Sequence, residues 1–293
     1  MIQFIGHDGG RDSHKVDSST GKQLSVKSIV GKARSRNLVE DRDYLVEIDS
    51  RQWFVGDLAR ESFFIRQMAT ESKIHEDTKI LFLTSLALAA EPASELVVTT
   101  GLPINQHTPE TKQKLTELLT GEHSVRINNG SPKLIKITNI GIVPEGAGAY
   151  FSELLDDNGI IKNEWLSKQL KRVIDIGSRT VNICTIDENN RYLDRDSDTL
   201  HYGCLELDNA AGKNPSKEDL EEFARKLAGD INKRLQSYRP AKDVVLLSGG
   251  GSLVLGDYLK TYFPISIIVN NPVFANAIGY RRMGMMRWRK TSR

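Results

Sequence analysis

Two short apolar segments of this chain are each interrupted by an aspartate, one further residue and a glycine. The first segment, residues 2–5, runs into Asp8-x-Gly10, and the second, residues 173–176, contains the start of Asp175-x-Gly177. Strand-forming residues followed by glycine and polar residues predict a strand–turn–strand unit in each half of the chain. A repeat this short also arises by chance in one sequence, so on these residues alone duplication and coincidence both stay open.

Strand-like and helix-like segments alternate along both halves, which predicts an α/β protein. The 293 residues leave room for about two domains, and we expect these to be residues 1–150 and 151–293. Further strands are predicted at residues 24–30, 44–48, 52–56, 95–100, 133–142, 181–186 and 244–247. Helices are predicted at residues 77–90, 108–120, 216–235, 252–262 and 275–286. Asp77-Thr78 is expected to cap the first of these, and Ser216, with Glu218 and Asp219 in the first turn, to cap the third.

The composition excludes several classes of protein. With 39% hydrophobic and 27% charged residues the chain is not largely disordered, and a net charge of +2 excludes a strong polyelectrolyte. No apolar stretch approaches the ~20 residues that cross a bilayer, and the first residues lack a secretory signal pattern. We therefore expect a cytoplasmic protein without a membrane partner. Two cysteines, Cys184 and Cys204, are too few for a disulfide framework.

The first aspartate turn carries residue types that suit a phosphate group. Glycines let backbone N–H groups approach an anion closely, and hydroxyl and ammonium groups bind phosphate oxygens. An acid at such a site needs a cation, so Asp8 is a candidate for holding Mg²⁺ through water. The candidate phosphate ligands are Gly9, Gly10, Arg11, Asp12, Ser13 and Lys15. An ordinary β-hairpin turn explains the same residues, and from this turn alone it is the favoured interpretation.

Two further glycine-containing elements follow the same logic. The second turn offers Asp175 as the acid, followed by the donors Gly177, Ser178, Arg179 and Thr180. A third element, Gly249-Gly250-Gly251-Ser252, stands between an apolar strand and a helix, where it would let a flat or anionic group approach the backbone. A polar hairpin and a flexible turn are the alternative interpretations. The third element is neither a Walker A loop nor a Gly-x-Gly-x-x-Gly motif.

Taken in this order, the three elements resemble those of the actin/Hsp70/sugar-kinase superfamily, and within it the plasmid-segregation actins of the ParM and AlfA type. The first phosphate loop resembles Asp8-x-Gly10 with Lys15, the second resembles residues 175–180, and the adenosine motif resembles residues 249–251. Residues 144–149 and 272–279 resemble the two connecting helices of that family. Residues 54–59 and 100–103 are typical of its ParM-like branch.

The resemblance implies an actin-like fold, in which two similar RNase H-like lobes surround a nucleotide cleft and the two aspartate turns face each other across the triphosphate. It implies ATP, or GTP, and Mg²⁺ as cofactors. Glu145 would orient the attacking water, while Asp175 and Asp8 would hold water molecules of the Mg²⁺ ion. Without the resemblance, Glu145 is explained as a charge in the first turn of a helix.

The segment between Asp175 and Gly249 contains one predicted helix, residues 216–235. This spacing resembles the AlfA branch and implies a reduced subdomain in the second lobe. With fewer groups around the base, we expect weak discrimination between adenine and guanine. Glu222 and Arg225 on this helix are the candidates for contacts with the adenosine.

The family also implies a function: an ATPase that polymerises into filaments in a nucleotide-dependent way and segregates or positions plasmid DNA. Because the net charge is only +2, we expect contact with centromere-like DNA to pass through a DNA-binding adaptor protein. Two alternatives stay open, a small-molecule kinase of the same fold and a nucleotide-binding scaffold without turnover. The chain offers no convincing motif for the substrate base of a kinase.

Two groups of surface candidates have competing interpretations. Trp53, Phe54, Phe63 and Phe64 are apolar candidates for filament contacts, with core packing as the default. Residues 281–293 contain six basic residues and no acidic one. They could contact nucleic acid or an acidic partner, but charges that complement a helix C-terminus are the favoured explanation.

Overall fold

The structure is a computed structural model that describes residues 1–35, 44–66 and 72–291. Within these ranges the strands are β1 (Ile2–Gly9), β2 (Ser13–Ser18), β3 (Gln23–Lys27), β4 (Val30–Lys32), β5 (Tyr44–Ile48), β6 (Arg51–Val55), β7 (Ile65–Arg66), β8 (Glu95–Leu102), β9 (Gly121–Ile127), β10 (Lys133–Pro144), β11 (Lys171–Ile176), β12 (Val181–Ile186), β13 (Asp198–Leu200), β14 (Val244–Ser248) and β15 (Ser266–Ile268). The α-helices are α1 (Glu76–Ala89), α2 (Pro109–Leu119), α3 (Ala147–Leu154), α4 (Glu164–Ser167), α5 (Cys204–Ala211), α6 (Lys217–Arg234), α7 (Ser252–Leu259) and α8 (Ala275–Thr291). The chain divides into two compact units, Met1–Thr100 with Thr108–Ile142 and Gly101–His107 with Val143–Arg293.

The first unit is built on a mixed sheet. Its described strands run in the order β3-β2-β1-β8-β10-β9-β5-β6-β4-β7. β1 pairs antiparallel with β2 and parallel with β8, so the first aspartate turn lies between two neighbouring strands of this sheet. Helix α1 packs against β2, β3 and β9. The N-cap of α1 is His75, whose Nδ1 accepts a hydrogen bond from the backbone N–H of Asp77. The sequence prediction of Asp77-Thr78 as the cap is therefore wrong.

The second unit is a sheet covered by helices on both faces. Its described strands run in the order β13-β12-β11-β14-β15, with β11 antiparallel to β12 and parallel to β14. Because successive side chains of a strand point to opposite faces, Val173 joins the buried cluster of α3 and α8, while Ile174 and Ile176 join that of α6 and α7. Helix α6 begins with a capping box, in which Ser216 and Asp219 bond each other's backbone N–H groups.

Helices α3 and α8 approach each other at glycines. A Cβ on Gly279 would overlap the carbonyl oxygen of Gly148, and a Cβ on Gly148 would lie 2.6 Å from the Cα of Asn276. The two backbones are therefore in direct contact, and neither position has room for a larger residue.

Strand β11 begins with two buried charges in the second unit. The Arg172 guanidinium, fully inaccessible to solvent, lies 2.9 Å from Asp243 and 3.3 Å from Asp196. The Lys171 ammonium donates to the Asp187 carbonyl oxygen at 2.7 Å and to Asn190 Oδ1 at 3.0 Å, and burial lowers the pKa of Lys171 to about 8. Because buried charges are tolerated only when they are paired, these contacts hold the start of the strand in place.

The α/β prediction is confirmed, and so are most of the predicted elements. The sequence predicts a single strand at residues 24–30, but the structure has two. Strand β3 ends at Lys27 and β4 begins at Val30, so residues 28–29 separate them. The segment between Asp175 and Gly249 contains a second helix, α5, that the sequence interpretation missed. No helix in the described part of the chain is long and apolar enough to cross a lipid bilayer.

The four aromatic surface candidates separate into two pairs. Trp53 and Phe54 are buried, as the core interpretation predicts, whereas Phe63 and Phe64 are 82% and 80% exposed. In the basic tail, Arg281 and Arg282 lie 2.7 and 2.8 Å from Asp157, and these hydrogen bonds lower the pKa of Asp157 to about 2. The first two basic residues of the tail therefore stabilise the fold; Ser292 and Arg293 lie outside the described residues.

Candidate functional site

The hairpin of β1 and β2 places Asp8 opposite Lys15. These two residues are paired in the strand register, and the Lys15 ammonium lies 3.5 Å from Asp8 Oδ2. Asp8 is buried, so its carboxylate is held beside a cation at the rim of the sheet. The structure thus brings together the acid and the lysine that the sequence interpretation assigned to a metal and a phosphate.

Two neighbouring residues, Lys27 and Ser28, hold the tip of this hairpin in place. The Gly10 carbonyl oxygen accepts a hydrogen bond from Ser28 Oγ at 2.6 Å, and the Asp12 carboxylate pairs with Lys27 at 3.0 Å. Arg11 is half-buried, whereas the Ser13 residue that begins β2 is buried. Asp12 therefore forms a solvent-exposed ion pair with the neighbouring strand, while its backbone remains part of the turn.

The hairpin of β1 and β2 contains two buried histidines and is contacted by a buried lysine. His7 Nε2 and His14 Nδ1 are 3.1 Å apart, both rings are buried, and the buried Lys73 ammonium donates to the Gly9 carbonyl oxygen. Burial, with the positive charge of Lys73 as a smaller cause, lowers the pKa of His7 to about 3. Burial also lowers the pKa of His14 well below its usual value. Both rings are therefore neutral at pH 7.

These histidines predict a loss of stability in mild acid. The unfolded chain binds a proton at each histidine near pH 6.5, whereas folded His7 stays neutral down to about pH 3. Below pH 6.5 the unfolded state therefore binds more protons, and the free energy of unfolding falls by about 1.4 kcal/mol per pH unit for each such histidine. Urea unfolding at pH 7.5, 6.0 and 5.0 measures this slope. We expect H14Q to flatten it, with H201N, at an exposed histidine, as the control for a histidine substitution; an unchanged slope in H14Q would contradict the assignment.

The hairpin of β11 and β12 carries the second aspartate turn. Its tip, Gly177–Thr180, is half-buried and is closed by a hydrogen bond from the Gly177 N–H to the Thr180 carbonyl oxygen at 3.0 Å. The carbonyl oxygens of Gly177 and Ser178 accept from the N–H groups of Cys204 and Leu205, the first residues of α5. Helix α5, which the sequence interpretation missed, therefore stabilises the turn through these two hydrogen bonds. Arg179 and Thr180 lie in the same half-buried tip.

The triple-glycine loop lies directly against this turn. The Gly251 N–H donates to the Ile176 carbonyl oxygen at 3.0 Å. Gly249 has a φ of +78°, and a Cβ there would lie 2.7 Å from Asp175 Oδ1. Ser252 is buried and donates from its hydroxyl to the Gly249 carbonyl oxygen at 2.7 Å, so its hydroxyl serves the loop itself. Gly250, by contrast, is exposed, and a Cβ there would meet nothing within 4 Å.

Asp175 and Glu145 are each held by an asparagine that the sequence interpretation did not assign to the site. Asn276, in the first turn of α8, donates from Nδ2 to Asp175 Oδ2 at 2.9 Å. Asn182 donates from Nδ2 to Glu145 Oε2 at 3.0 Å. Asn182 is the register partner of Asp175, so counting residues outward from the turn is the sequence signal that could have found it.

Glu145 lies where β10 has ended and α3 has not yet begun. Gly146, with a φ of +86°, turns the chain there, and a Cβ on it would lie 3.8 Å from the Asp175 Cβ. The Glu145 N–H donates to the Leu102 carbonyl oxygen at 2.7 Å, and its side chain is buried. The second unit thus gathers a buried glutamate, an aspartate and a glycine loop with one exposed residue, Gly250, at one end of its sheet.

The predicted adenosine contacts on α6 are two exposed charged residues. Glu222 and Arg225 are 3.4 Å apart, and a hydrogen bond with Tyr262 raises the pKa of Arg225. Tyr262 follows the C-terminal end of α7, whereas the glycine loop precedes its N-terminal end. The contact of the adenosine with Glu222 and Arg225 stays a prediction.

The acidic residues fit a cation that keeps most of its water. Within the described ranges no group of three or more His, Cys, Asp or Glu side chains could hold a metal ion by itself. Mg²⁺ does not require such a cage, because it usually keeps several waters and binds one or two carboxylates together with substrate phosphates. Single carboxylates such as Asp8 and Asp175 suit that mode of binding.

Comparisons with known proteins show what this chain is similar to. Residues 6–148 match the family model of the N-terminal domain of actin-like proteins. A search of curated protein sequences gives no match. Residues 6–148 are therefore similar to actin-like proteins, in agreement with the sequence resemblance.

Solved structures extend the likeness to the whole chain. An archaeal actin homologue, Ta0583, has a TM-score of 0.83 at 20% identity, covering 97% of this chain and 98% of its own, and it has also been solved in complex with ADP. The apo ParM protein of pSK41 has a TM-score of 0.82 at 18% identity, covering 100% and 99%. A 15-stranded ParM filament from Clostridium botulinum has a TM-score of 0.78 at 22% identity, covering 97% and 99%. The fold of this chain is actin-like.

Proposed function

We propose that this actin-like protein binds a Mg²⁺–nucleotide, ATP or GTP, hydrolyses it, and assembles into cytoplasmic filaments that segregate or position plasmid DNA. The observation that carries the proposal is the arrangement in the second unit. There Asp175 lies between Asn276 and a glycine loop, residues 249–251, whose middle residue Gly250 is exposed, next to a buried Glu145. Such an arrangement supplies a cation ligand, a surface free of side chains and an acid protected from bulk water.

The phosphates would be bound by both aspartate turns. In the first unit the proposed ligands are Lys15, Ser13, Arg11 and the backbone of Gly9, Gly10 and Asp12. In the second unit they are the hydroxyls of Ser178 and Thr180 and the guanidinium of Arg179. Gly177, whose N–H already bonds the Thr180 carbonyl oxygen, would leave the approach to the turn clear of a side chain. Glycine-rich turns suit this role because their N–H groups can approach an anion without steric hindrance.

Hydrolysis would depend on positioning and charge neutralisation. Asp8 and Asp175 would hold Mg²⁺ through water, and the bound ion would neutralise charge that develops on the phosphates. The Glu145 carboxylate, fixed by Asn182, would accept a hydrogen bond from the attacking water and so orient it. Gly249–Gly251 would support the adenosine, with the open face at Gly250 turned toward the base.

Filament assembly and plasmid positioning are proposed from the family and from the surface. One structural relative is itself a ParM filament. Phe63 and Phe64, more than three-quarters exposed, are the candidates for a contact with a neighbouring subunit, because large exposed apolar patches mark interaction sites. A net charge of +2 offers little attraction for DNA phosphates, so an adaptor protein would connect the filament to a centromere-like site.

Sedimentation combined with phosphate release tests the function. We expect the wild-type protein to pellet with Mg²⁺–ATP or Mg²⁺–GTP, to pellet less with the diphosphate, and to release phosphate. E145Q keeps the size of the side chain but leaves it a single oxygen. If that oxygen accepts from Asn182 as Glu145 Oε2 does, the NH₂ group faces the attacking water and cannot accept from it, so phosphate release is expected to fall about 100-fold while pelleting persists.

The matched control is E164Q, at an exposed glutamate in the first turn of α4, for which we expect wild-type rates. A wild-type protein that neither releases phosphate nor pellets with any nucleotide would refute the proposal. Equal rates for E145Q and the wild-type protein would refute the role of Glu145.

A further inference from the structure

Four polar residues form a row across the sheet of the second unit. In the strand register, Thr199 on β13 pairs with Asn182 on β12, Asn182 with Asp175 on β11, and Asp175 with Ser248 on β14. Residues directly opposite in neighbouring strands share a face of the sheet. This face is the one that α3 and α8 cover, because Val173 and Cys184, two residues away from Asp175 and Asn182, belong to their cluster.

Asn182 uses both ends of its amide within this row. Its Nδ2 donates to Glu145 Oε2 at 3.0 Å, and its Oδ1 accepts from the Thr199 hydroxyl at 2.8 Å. Asn182, Thr199 and Glu145 are 4%, 5% and 8% exposed, so water competes little for these bonds. Hydrogen bonds to a carboxylate are roughly twice as strong as those between neutral groups, and more so at low local dielectric.

The Glu145 carboxylate, which only accepts, determines which way the amide faces, and the Thr199 hydroxyl holds the amide in that orientation. If the amide were flipped, its oxygen would oppose the Glu145 carboxylate and two acceptors would meet without a proton between them. With the hydroxyl donating to Oδ1, the NH₂ group is directed at Glu145. A neutral amide also adds no third negative charge beside Asp175 and Glu145, as an aspartate at this position would.

We propose that Asn182 and Thr199 are positioning residues that fix the Glu145 carboxylate in the orientation used for hydrolysis. This inference rests on the proposed function. Glutamate loses about 1.5–2 kcal/mol of side-chain rotational freedom when it is fixed, and its backbone bond to Leu102 constrains only the main chain. The chain Thr199–Asn182–Glu145 supplies a constraint at the end of the side chain. Because the amide of Asn182 and the hydroxyl of Thr199 bond protein atoms, we expect neither residue to bind the nucleotide.

A pair of substitutions at Thr199 separates positioning from packing. T199V keeps the shape of the side chain and removes the hydroxyl, whereas T199S keeps the hydroxyl and removes the methyl group. We expect T199V to lower kcat on the order of five- to tenfold, the loss of one hydrogen bond, with KM for Mg²⁺–ATP unchanged and T199S within about twofold of wild type. A packing role predicts the opposite order, because valine fills the site and serine leaves a gap.

A second variant tests the direct contact. N182L removes the amide without adding charge, and we expect kcat to fall on the order of 100-fold, since misplacing a catalytic group by about 1 Å costs that much. The KM of each variant and its melting temperature report whether it folds and binds nucleotide. Should N182L be unfolded, the Thr199 pair decides the question.

The outcomes distinguish the inference from the proposed function. Turnover by the wild-type protein together with wild-type kcat in T199V, or an equal loss in T199S, overturns the positioning role and leaves the proposed function intact. Loss of nucleotide affinity in T199V, with kcat unchanged, also overturns it. A wild-type protein that binds nucleotide without turnover overturns the proposed hydrolysis, and the positioning role with it.

Discussion

G279A is expected to lower the free energy of unfolding of this protein by about 3 kcal/mol. The added methyl group would overlap the carbonyl oxygen of Gly148 on the facing helix, and this atom cannot rotate away as a flexible side chain would. Helices α3 and α8 would have to move apart, which weakens the buried cluster that they share with β11. Urea unfolding followed by tryptophan fluorescence gives the change.

The control for this substitution is G229A. Gly229 lies in the interior of α6, is exposed, and a Cβ there would meet nothing within 4 Å. Alanine in a helix interior is favoured over glycine by about 0.5–1 kcal/mol, so this variant is expected to be slightly more stable than wild type. Equal effects of the two substitutions would show that the close contact of α3 and α8 does not exist.

R172L is expected to destabilise the protein by about 3–5 kcal/mol. Arg172 is the cation of a fully buried set in which Asp243 and Asp196 are also inaccessible to solvent. Removing the cation leaves two buried carboxylates without it, and their desolvation is then uncompensated. The measurement is the same urea titration, with the midpoint compared at pH 7.

R239A is the matched control, because Arg239 pairs with the same Asp243 at 3.0 Å but has a side chain that is 49% exposed. Half-exposed ion pairs contribute about 1 kcal/mol or less, so we expect R239A to remain within that range. If R172L proved no more destabilising than R239A, burial would not be what makes the Arg172 set important.

Local sequence signals predicted the elements that local interactions stabilise. Ser216 with Asp219 marked the start of α6, and the apolar strands with Asp-x-Gly marked both hairpins. The N-cap of α1 was predicted at the wrong residues, because histidine is not among the residue types that usually cap helices. Helix α5 was missed because it spans only eight residues and is held by the carbonyl oxygens of a distant turn.

The parts of the site that depend on tertiary contacts were not predictable in this way. Asn182 and Thr199 acquire their role from strand register and from Glu145, which comes from a separate part of the chain. The contact of Gly148 with Gly279 likewise joins positions far apart in sequence. Glu222 and Arg225 were chosen from their helix alone, and a helix has many exposed charges. Their contact with the adenosine therefore stays a prediction, while the structure shows Arg225 bonded to Tyr262.

Nucleotide binding at the glycine loop is tested most directly by the thermal unfolding of wild type and G250V with and without Mg²⁺–ATP. Without nucleotide, we expect the two proteins to melt together, because Gly250 is exposed and a Cβ there would meet nothing within 4 Å. At 100 times the dissociation constant, nucleotide should stabilise the wild-type protein by about 2.7 kcal/mol, a rise in melting temperature of several degrees. G250V should show no rise, since the valine occupies the space proposed for the adenosine. An equal rise in both proteins, or none in the wild type, would contradict nucleotide binding at this loop.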